Sequence, residues 1–121
     1  VIAVANPVAL PIVVSMPQPD MAVLKPRLTF YADRRPQPED TFFVVEVMDS
    51  STRYDRRIKA PLYARAGVPE LWLVDIPRMI VEVLREPREA SYQSRRTMRR
   101  GESVSPLAFP DVSFSFADLL A

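Results

Sequence analysis

The stretch FFVVEVMDSSTRYDRRIKAPLYARAGVPELWLVD, at residues 42–75, decides the fold and contains the most informative charged residue of the chain. Residues 41–48 are rich in Phe and Val and include a single charged side chain, Glu46. This pattern is typical of a central strand. Because an unpaired buried carboxylate costs several kcal/mol of stability, Glu46 needs a metal, a cation or a proton beside it.

A helix is predicted to follow this strand. The Ser-Ser-Thr sequence at residues 50–52 supplies side chains that cap helix N-termini, and Gly67 is a typical C-terminal stop. We therefore expect a helix over residues 53–66. Pro61 lies inside this segment and removes one backbone hydrogen bond, so it predicts a kink or a split into two helices.

The hydrophobic pattern predicts further strands, at residues 8–14, 20–24, 28–31, 70–75, 79–84 and 91–98. Residues 76–78 form a short turn, which predicts a hairpin between the two strands that flank it. Residues 25–40 are rich in proline and are expected to form a loop. A turn is predicted at residues 99–102, and Ser115 is expected to cap a final short helix at residues 116–120.

The length and composition are those of one globular domain. The chain has 121 residues, 48% hydrophobic and 26% charged, with a net charge of +1, so residues 1–121 are expected to form one domain with one core. The low net charge predicts no strong field for nucleic acid or membrane. No hydrophobic run approaches the roughly 18 residues that predict a membrane-spanning helix.

The chain contains no cysteine and no histidine. Disulfides, thiolate zinc sites and serine–histidine triads are therefore excluded, and the absence of cysteine fits a reducing compartment such as the cytoplasm. Catalysis would have to come from carboxylates, Lys, Tyr, Ser, Thr or Arg. A bound metal would need oxygen ligands, which favours magnesium, manganese or calcium.

Two acidic residues can meet at one end of the predicted sheet. Asp20 opens one strand and Glu46 lies in another; if these strands pair, both carboxylates can project to the same side. Two close carboxylates repel each other unless a cation lies between them. A divalent metal would resolve that repulsion, and the backbone carbonyl of Val47 could add a further oxygen ligand.

The predicted helix brings a lysine toward these acids. Asp55, Lys59 and Tyr63 are spaced four residues apart, which places them on one helical face. If that helix packs on the sheet, Lys59 can reach toward Glu46. An amine beside a metal-bound water can orient it and stabilise developing negative charge, which is the chemistry of phosphodiester hydrolysis.

Other interpretations of the same residues stay open. Glu46 could form a structural ion pair, Asp20 could be a turn residue, and Lys59 could be solvated. Tyr63 is a candidate for contact with substrate or with another site residue, or it could pack in the core with its hydroxyl at the surface. Asp55 could stabilise the first helical turn or pair with Lys59. Two arginine groups could contact phosphates or lie on a solvated surface: Arg53, Arg56 and Arg57, and Arg95, Arg96, Arg99 and Arg100.

Three segments carry a family resemblance. QPDMAVL at residues 18–24, VVEVMDSST at 44–52 and YDRRIKAPLYARAGVPELWLVD at 54–75 resemble the Uma family of putative restriction endonucleases, within the PD-(D/E)xK nuclease-like superfamily. The resemblance runs from about residue 8 to the end of the chain and includes FSFADLL at residues 114–120. GVPELWLVD is the most specific of these motifs, and the Pro-Asp pair alone is weak.

The resemblance implies an α/β fold, a restriction-endonuclease-like mixed β-sheet flanked by helices, with a magnesium-dependent nuclease site in which manganese could replace magnesium. Asp20 would match the aspartate of the Pro-Asp motif, and Glu46 the acidic residue of the second motif. The usual lysine, two residues after that acid, would fall on Met48. The resemblance implies that this amine is displaced to the helix, at Lys59, where it would activate water and stabilise the phosphate.

Two departures from the family pattern bear on function. Asp49-Ser50 stands where the family usually has Ser-Pro, and the family's N-terminal helical region is expected to be missing, which would favour a homodimer. The leading hypothesis is a magnesium-dependent endodeoxyribonuclease. The competing hypotheses are an inactive nuclease-fold module that binds DNA or a protein partner, and a truncated protein that only self-associates.

Overall fold

The structure of this chain is a computed structural model that describes residues 2–4, 21–24, 40–49 and 56–120. The described residues form eight strands and two helices: β1 Ile2–Val4, β2 Met21–Leu24, β3 Thr41–Met48, α1 Arg56–Arg65, β4 Glu70–Asp75, β5 Ile80–Arg88, β6 Ser91–Met98, β7 Ser103–Val104, β8 Phe114–Ser115 and α2 Phe116–Leu120.

Strands β1 to β6 form one mixed sheet in which sequence order and spatial order coincide. The β3–β4 pair is parallel, whereas all the other neighbouring pairs of this sheet are antiparallel. The parallel pair arises because α1 connects β3 to β4, and a parallel connection needs such a crossover. Strands β7 and β8 form a separate antiparallel pair. The predicted α/β fold with a mixed sheet and flanking helices is confirmed.

Strands β3 to β6 contribute to a hydrophobic cluster on each face of the sheet. One side, called the α1 face, packs against α1 through a cluster of buried residues: Val44, Met48, Tyr63, Val68, Leu71, Leu73 and Leu84. The other side, called the α2 face, includes Phe43, Val45, Trp72, Val74, Val81, Val83, Met98, Val104 and Phe116. Neighbouring residues of β3 and β4 alternate between these two clusters, as the two-residue period of a strand requires.

Helix α1 ends where the sequence predicts, at a glycine. Gly67 has a φ of 82°, the left-handed conformation that glycine adopts without a steric cost. The N–H of Gly67 donates to the carbonyl of Ala64, and the N–H of Val68 donates to the carbonyl of Tyr63, at 3.0 and 3.1 Å. These two bonds are the Schellman arrangement, which satisfies the last carbonyls of a helix.

Pro61 does not divide α1, so the predicted split into two helices is wrong. The helix is continuous from Arg56 to Arg65 with Pro61 inside it. The missing N–H of a proline removes only one helical bond. Ala60 and Leu62, on either side of Pro61, pack against the α1-face core, and such tertiary packing supplies most of the stability of a short helix.

Most other predicted elements are confirmed where the structure describes them. Strands β3, β4 and β6 have the predicted bounds, and β2 covers residues 21–24 of the strand predicted at residues 20–24. The strand predicted at residues 79–84 extends to Arg88, because its end pairs with β6 beyond the last β4 partner. The predictions for residues 8–14, 25–39 and 53–55 lie outside the described residues.

The C-terminal helix begins at the predicted cap. The N–H of Asp118 donates to the hydroxyl oxygen of Ser115 at 3.2 Å, and the N–H of Ser115 donates to the carboxylate of Asp118 at 2.7 Å. This reciprocal pair is a capping box. Among the described residues, no helix combines the length and hydrophobicity needed to cross a bilayer.

Candidate functional site

Glu46 lies near the carboxyl end of β3 and is almost completely buried, with 2% of its surface exposed. It is flanked on its own strand by Val44 and Met48, which belong to the α1-face core, and it is paired with Leu73 of β4. Alternation along β3 therefore directs its carboxylate toward α1. The charged residue that the sequence places in a core strand is indeed inside the protein.

Two residues of α1 contact this carboxylate, one at each oxygen. The hydroxyl of Tyr63 donates a hydrogen bond to Oε1 of Glu46 at 2.8 Å. The Nζ of Lys59 lies 3.4 Å from Oε2. Lys59 and Tyr63 are four residues apart and share one helical face. The predicted approach of Lys59 to Glu46 is therefore present, whereas its chemical role stays a prediction.

Tyr63 is fully buried, with none of its surface exposed. The interpretation that places its hydroxyl at the protein surface is therefore wrong, because the hydroxyl is directed inward to Glu46. The sequence also made Tyr63 a candidate for contact with substrate or with another site residue. This geometry supports the second role, since a buried phenol can fix the orientation of a carboxylate.

Met48 occupies the position where the superfamily lysine is expected, and it is buried in the α1-face core. A lysine there would carry its charge into an apolar cluster, at a high desolvation cost. Lys59 approaches the same carboxylate from the helix and keeps 26% of its side chain exposed. The helix thus brings the Lys59 amine to Glu46 while the lysine side chain remains partly exposed.

Several other predicted site residues are only partly covered by the structure. Asp20 and Arg53 lie outside the described residues, as does Asp55. Met21, which follows Asp20 in the sequence, pairs with Val45, which precedes Glu46. Arg56 and Arg57 begin α1.

Two residues that follow Glu46 have distinct environments. Val47 pairs with Val74 and has a side chain that is 43% exposed; its carbonyl as a metal ligand stays a prediction. Asp49 directly follows β3 and is exposed.

The donor chemistry at Glu46 fits a hard divalent cation in kind, because carboxylate oxygens are the ligands that magnesium and manganese prefer. Within residues 40–49 and 56–120, no group of three or more acidic, histidine or cysteine side chains is arranged to hold a metal ion. The described part of the chain therefore contributes Glu46, and the second predicted carboxylate belongs to Asp20.

A second buried carboxylate, Glu70, lies at the start of β4 and was not singled out by the sequence. Its Oε2 accepts hydrogen bonds from the Trp72 indole and from Nε of Arg85, both at 2.8 Å. Its Oε1 accepts one from the backbone N–H of Leu107 at 2.9 Å. Of these three contacts, only the one with Arg85 could have been anticipated, because Glu70 and Arg85 face each other in the register of the β4–β5 hairpin.

Two further buried carboxylates, Asp75 and Glu82, are paired with arginines on the α1 face. Nη1 of Arg78 lies 3.9 Å from Oδ2 of Asp75 and 4.0 Å from Oε1 of Glu82. Nη2 of Arg95 lies 3.1 Å from Oε2 of Glu82. Sequence reasoning missed this network because its members come from three separate segments.

Tyr92, on β6, is a partly buried tyrosine with a structural hydrogen bond. Burial raises the pKa of Tyr92 well above its ordinary value, so the hydroxyl stays protonated and donates to the carbonyl of Val68 at 2.8 Å. This bond ties β6 to the segment that follows α1. Tyr92 thus donates to an uncharged backbone carbonyl, whereas Tyr63 donates to a carboxylate.

The mixed sheet with one parallel crossover and flanking helices places the chain in the α/β fold class. The fold is similar to a solved structure described as "Crystal structure of a putative nuclease belonging to DUF820 from Anabaena variabilis ATCC 29413", with a TM-score of 0.69 and 15% sequence identity. The match covers 98% of this chain and 66% of that one. The chain thus spans slightly less than two thirds of that protein, and a likeness at this identity concerns the fold.

The chain belongs to the Uma2 family, described as "Putative restriction endonuclease", whose model matches residues 1–117. The family resemblance found in the sequence is thereby confirmed. Restriction-endonuclease-like families generally use divalent metal ions. No curated protein matches the chain.

Proposed function

We propose that this chain is a metal-dependent endonuclease that hydrolyses phosphodiester bonds in DNA. The observation that carries the proposal is the approach of Lys59 Nζ to within 3.4 Å of the buried Glu46 carboxylate. An acid and an amine meet there although Met48 fills the usual lysine position. Membership of a restriction endonuclease family supports the same activity.

In this proposal, Asp20, Glu46 and the carbonyl of Val47 hold a magnesium ion, or manganese in its place. A bound divalent ion supplies positive charge at the phosphate and makes water a better nucleophile. Tyr63 keeps the Glu46 carboxylate in one orientation through its hydrogen bond. This orientation leaves Oε2 on the side of Lys59.

The reaction needs a positioned water and a stabilised phosphate. The water oxygen forms a bond to phosphorus, one phosphorus–oxygen ester bond breaks, and the departing oxygen takes up a proton. Lys59 orients the water and balances the negative charge that grows on the phosphoryl oxygens. Arg53, Arg56 and Arg57, at or just before the start of α1, are proposed to contact neighbouring phosphates.

A cleavage assay with matched variants tests this proposal. Supercoiled plasmid is incubated with the wild type, Glu46→Gln and Lys59→Met, each with magnesium and with a chelator. We expect both substitutions to slow cleavage by more than about 100-fold, given the usual size of losses at metal and proton-transfer sites. Glu86→Gln is the control, because Glu86 is an exposed glutamate of β5, and it should leave cleavage unchanged.

Cleavage that persists unchanged in Glu46→Gln would contradict the proposal. DNA binding without cleavage, insensitive to the chelator and to Glu46→Gln, would instead identify a non-catalytic module on a nuclease fold. Calorimetric titration of magnesium into the wild type and Glu46→Gln separates these outcomes, because only the nuclease hypothesis requires an ion at Glu46.

A further inference from the structure

In each of the ion pairs that Arg78 and Arg95 form on the α1 face, the carboxylate is buried and the guanidinium group is exposed to solvent. Arg78 is 60% exposed at its side chain, whereas its partners Asp75 and Glu82 are each 4% exposed. Arg95 is likewise 60% exposed above Glu82. Since the carboxylates lie beneath and the guanidinium groups above, this part of the surface presents positive charge although the pairs are neutral in sum.

The sheet register places these arginines beside the candidate active site. Glu46 pairs with Leu73, and Leu73 pairs with Glu82 on the next strand, so Glu46 and Glu82 lie in one row on the α1 face. Adjacent strands are about 4.8 Å apart, so the two acidic residues are separated by roughly 10 Å. Asp75 is two residues beyond Leu73 on β4 and therefore lies on the same face.

Arg78 is held in place by the turn that contains it. The β4–β5 turn covers residues 76–79, and the backbone N–H of Arg78 donates to Oδ1 of Asp75 at 3.2 Å. Its Nη1 is near the outer limit of ion-pair distance from both carboxylates. A guanidinium group carries five N–H donors in a planar fork, so it can contact a phosphate while it remains next to Asp75 and Glu82.

We propose that Arg78 and Arg95 bind backbone phosphates of the nucleic acid on the flank of the Glu46 site. Their buried carboxylates act as supports that orient the two guanidinium groups toward solvent. Glu82, which both arginines contact, is separated from Glu46 by roughly 10 Å, which corresponds to about three nucleotides of rise along one strand, at ~3.4 Å each. This inference rests on the proposed function and names part of its substrate-binding surface.

The proposal is tested by binding in the absence of metal, where cleavage does not interfere. Fluorescence anisotropy of a labelled DNA duplex is measured with a chelator at several salt concentrations, for the wild type, Arg78→Gln and Arg95→Gln. Each lost phosphate contact should lower the slope of log affinity against log salt by about 0.9, or roughly fivefold in affinity near 0.15 M salt. Arg88→Gln is the control, because Arg88 is an exposed arginine at the opposite end of β5.

Two companion variants guard against loss of folding. Arg78→Lys and Arg95→Lys keep the charge above the buried carboxylates, so we expect the salt slope to remain close to that of the wild type. Thermal unfolding of each glutamine variant verifies that the protein tested is folded. Arg95→Gln is the milder change, because Arg78 still lies beside Glu82.

Three results would overturn the inference: unchanged binding in both glutamine variants, an equal loss in Arg88→Gln, or no binding of DNA by the wild type. The plasmid assay shows whether the nuclease proposal fails with it. If the wild type still cleaves and Glu46→Gln does not, the nuclease stands and only the phosphate contacts at Arg78 and Arg95 are refuted.

Discussion

Two glutamates buried in neighbouring strands, Glu46 and Glu70, have different kinds of partners. Glu70 is held by an indole N–H, an arginine Nε and a backbone N–H, at 2.8, 2.8 and 2.9 Å. Glu46 is held by the Tyr63 hydroxyl at 2.8 Å and by the more distant Lys59 amine at 3.4 Å. Burial alone therefore does not distinguish a structural carboxylate from a functional one.

Glu70 and Glu46 differ in the kind of cationic group that donates to them. Arg85 is always charged. It also donates from Nη2 to the carbonyl of Ser105 at 2.6 Å, so its guanidinium group is held by two acceptors, Glu70 and Ser105. Lys59 is a flexible amine at the edge of hydrogen-bonding distance from Glu46. Glu70 thus has the partners of a carboxylate that holds the fold together, whereas Glu46 has the helix-borne amine beside it that the proposed nuclease function requires.

The largest expected effect comes from removing Glu70. Glu70→Ala should lower the free energy of unfolding by ~3–5 kcal/mol, because it leaves Arg85 and the Trp72 indole without their buried acceptor. Urea denaturation followed by fluorescence measures this loss, since Trp72 is the only tryptophan of the chain. Glu86→Ala, at an exposed site, is the control. A loss no larger than that of the control would show that the Glu70 network does not stabilise the fold.

The next effect concerns the orientation of Glu46. Tyr63→Phe removes the hydroxyl that fixes Oε1, and we expect magnesium affinity, measured by calorimetry, to fall by about 10- to 100-fold. Tyr92→Phe is the control, because Tyr92 packs against the same α1-face core but donates to the carbonyl of Val68 rather than to Glu46. An equal fall in both variants would point to a general loss of packing on the α1 face.

A smaller effect is expected at the partner of Glu70. Arg85→Lys keeps the charge but cannot reproduce both the bond to Glu70 and the bond to Ser105, so unfolding should be easier by about 1–2 kcal/mol. Chemical denaturation measures the change, and Arg88→Lys at an exposed position should stay within ~0.5 kcal/mol of the wild type. If Arg85→Lys were as stable as the wild type, charge alone, and not the geometry of the guanidinium group, would hold Glu70.

The smallest effect on stability is expected at Lys59. Lys59→Met should change the free energy of unfolding by less than about 1 kcal/mol, because the ammonium is partly exposed and contacts Glu46 at 3.4 Å. The same variant is expected to lose cleavage, so function and stability separate at this residue. If Lys59→Met destabilised the protein as much as Glu70→Ala, the alternative of a structural ion pair at Glu46 would be correct.

Local sequence signals predicted much of the fold. The bounds of β3, β4 and β6, the end of α1 at Gly67 and the cap of α2 at Ser115 all follow from periodicity and terminal residues. The short strands β7 and β8 were not predicted, because two residues each carry too little pattern to recognise. Of the kink or split predicted at Pro61, the split does not occur, because packing on the sheet outweighs the loss of one helical hydrogen bond.

The candidate site was predicted in part. Glu46 was recognised because a charge in an apolar strand is conspicuous, and Lys59 because its helical spacing directs it to the same side as Tyr63. For Tyr63 the sequence left open whether the hydroxyl contacts the site or lies at the surface, since helical spacing gives a face and not the depth of a side chain; the structure places it against Glu46. Arg95 was already among the arginines considered for phosphate contact, whereas Arg78 and the pairing of both arginines with buried acids were missed, because only the register of β4, β5 and β6 brings these residues together.

The sequence by itself determined which segments become strands and helices, the family to which the chain belongs, and the presence of a carboxylate that needs a partner. The tertiary structure alone decided which partner each buried acid receives. The contacts of Glu46 and Glu70 join residues 13, 17, 15 and 37 positions apart. Periodicity reports on neighbours within a few turns or strand residues, whereas such long-range contacts depend on strand order, register and the position of α1 on the sheet.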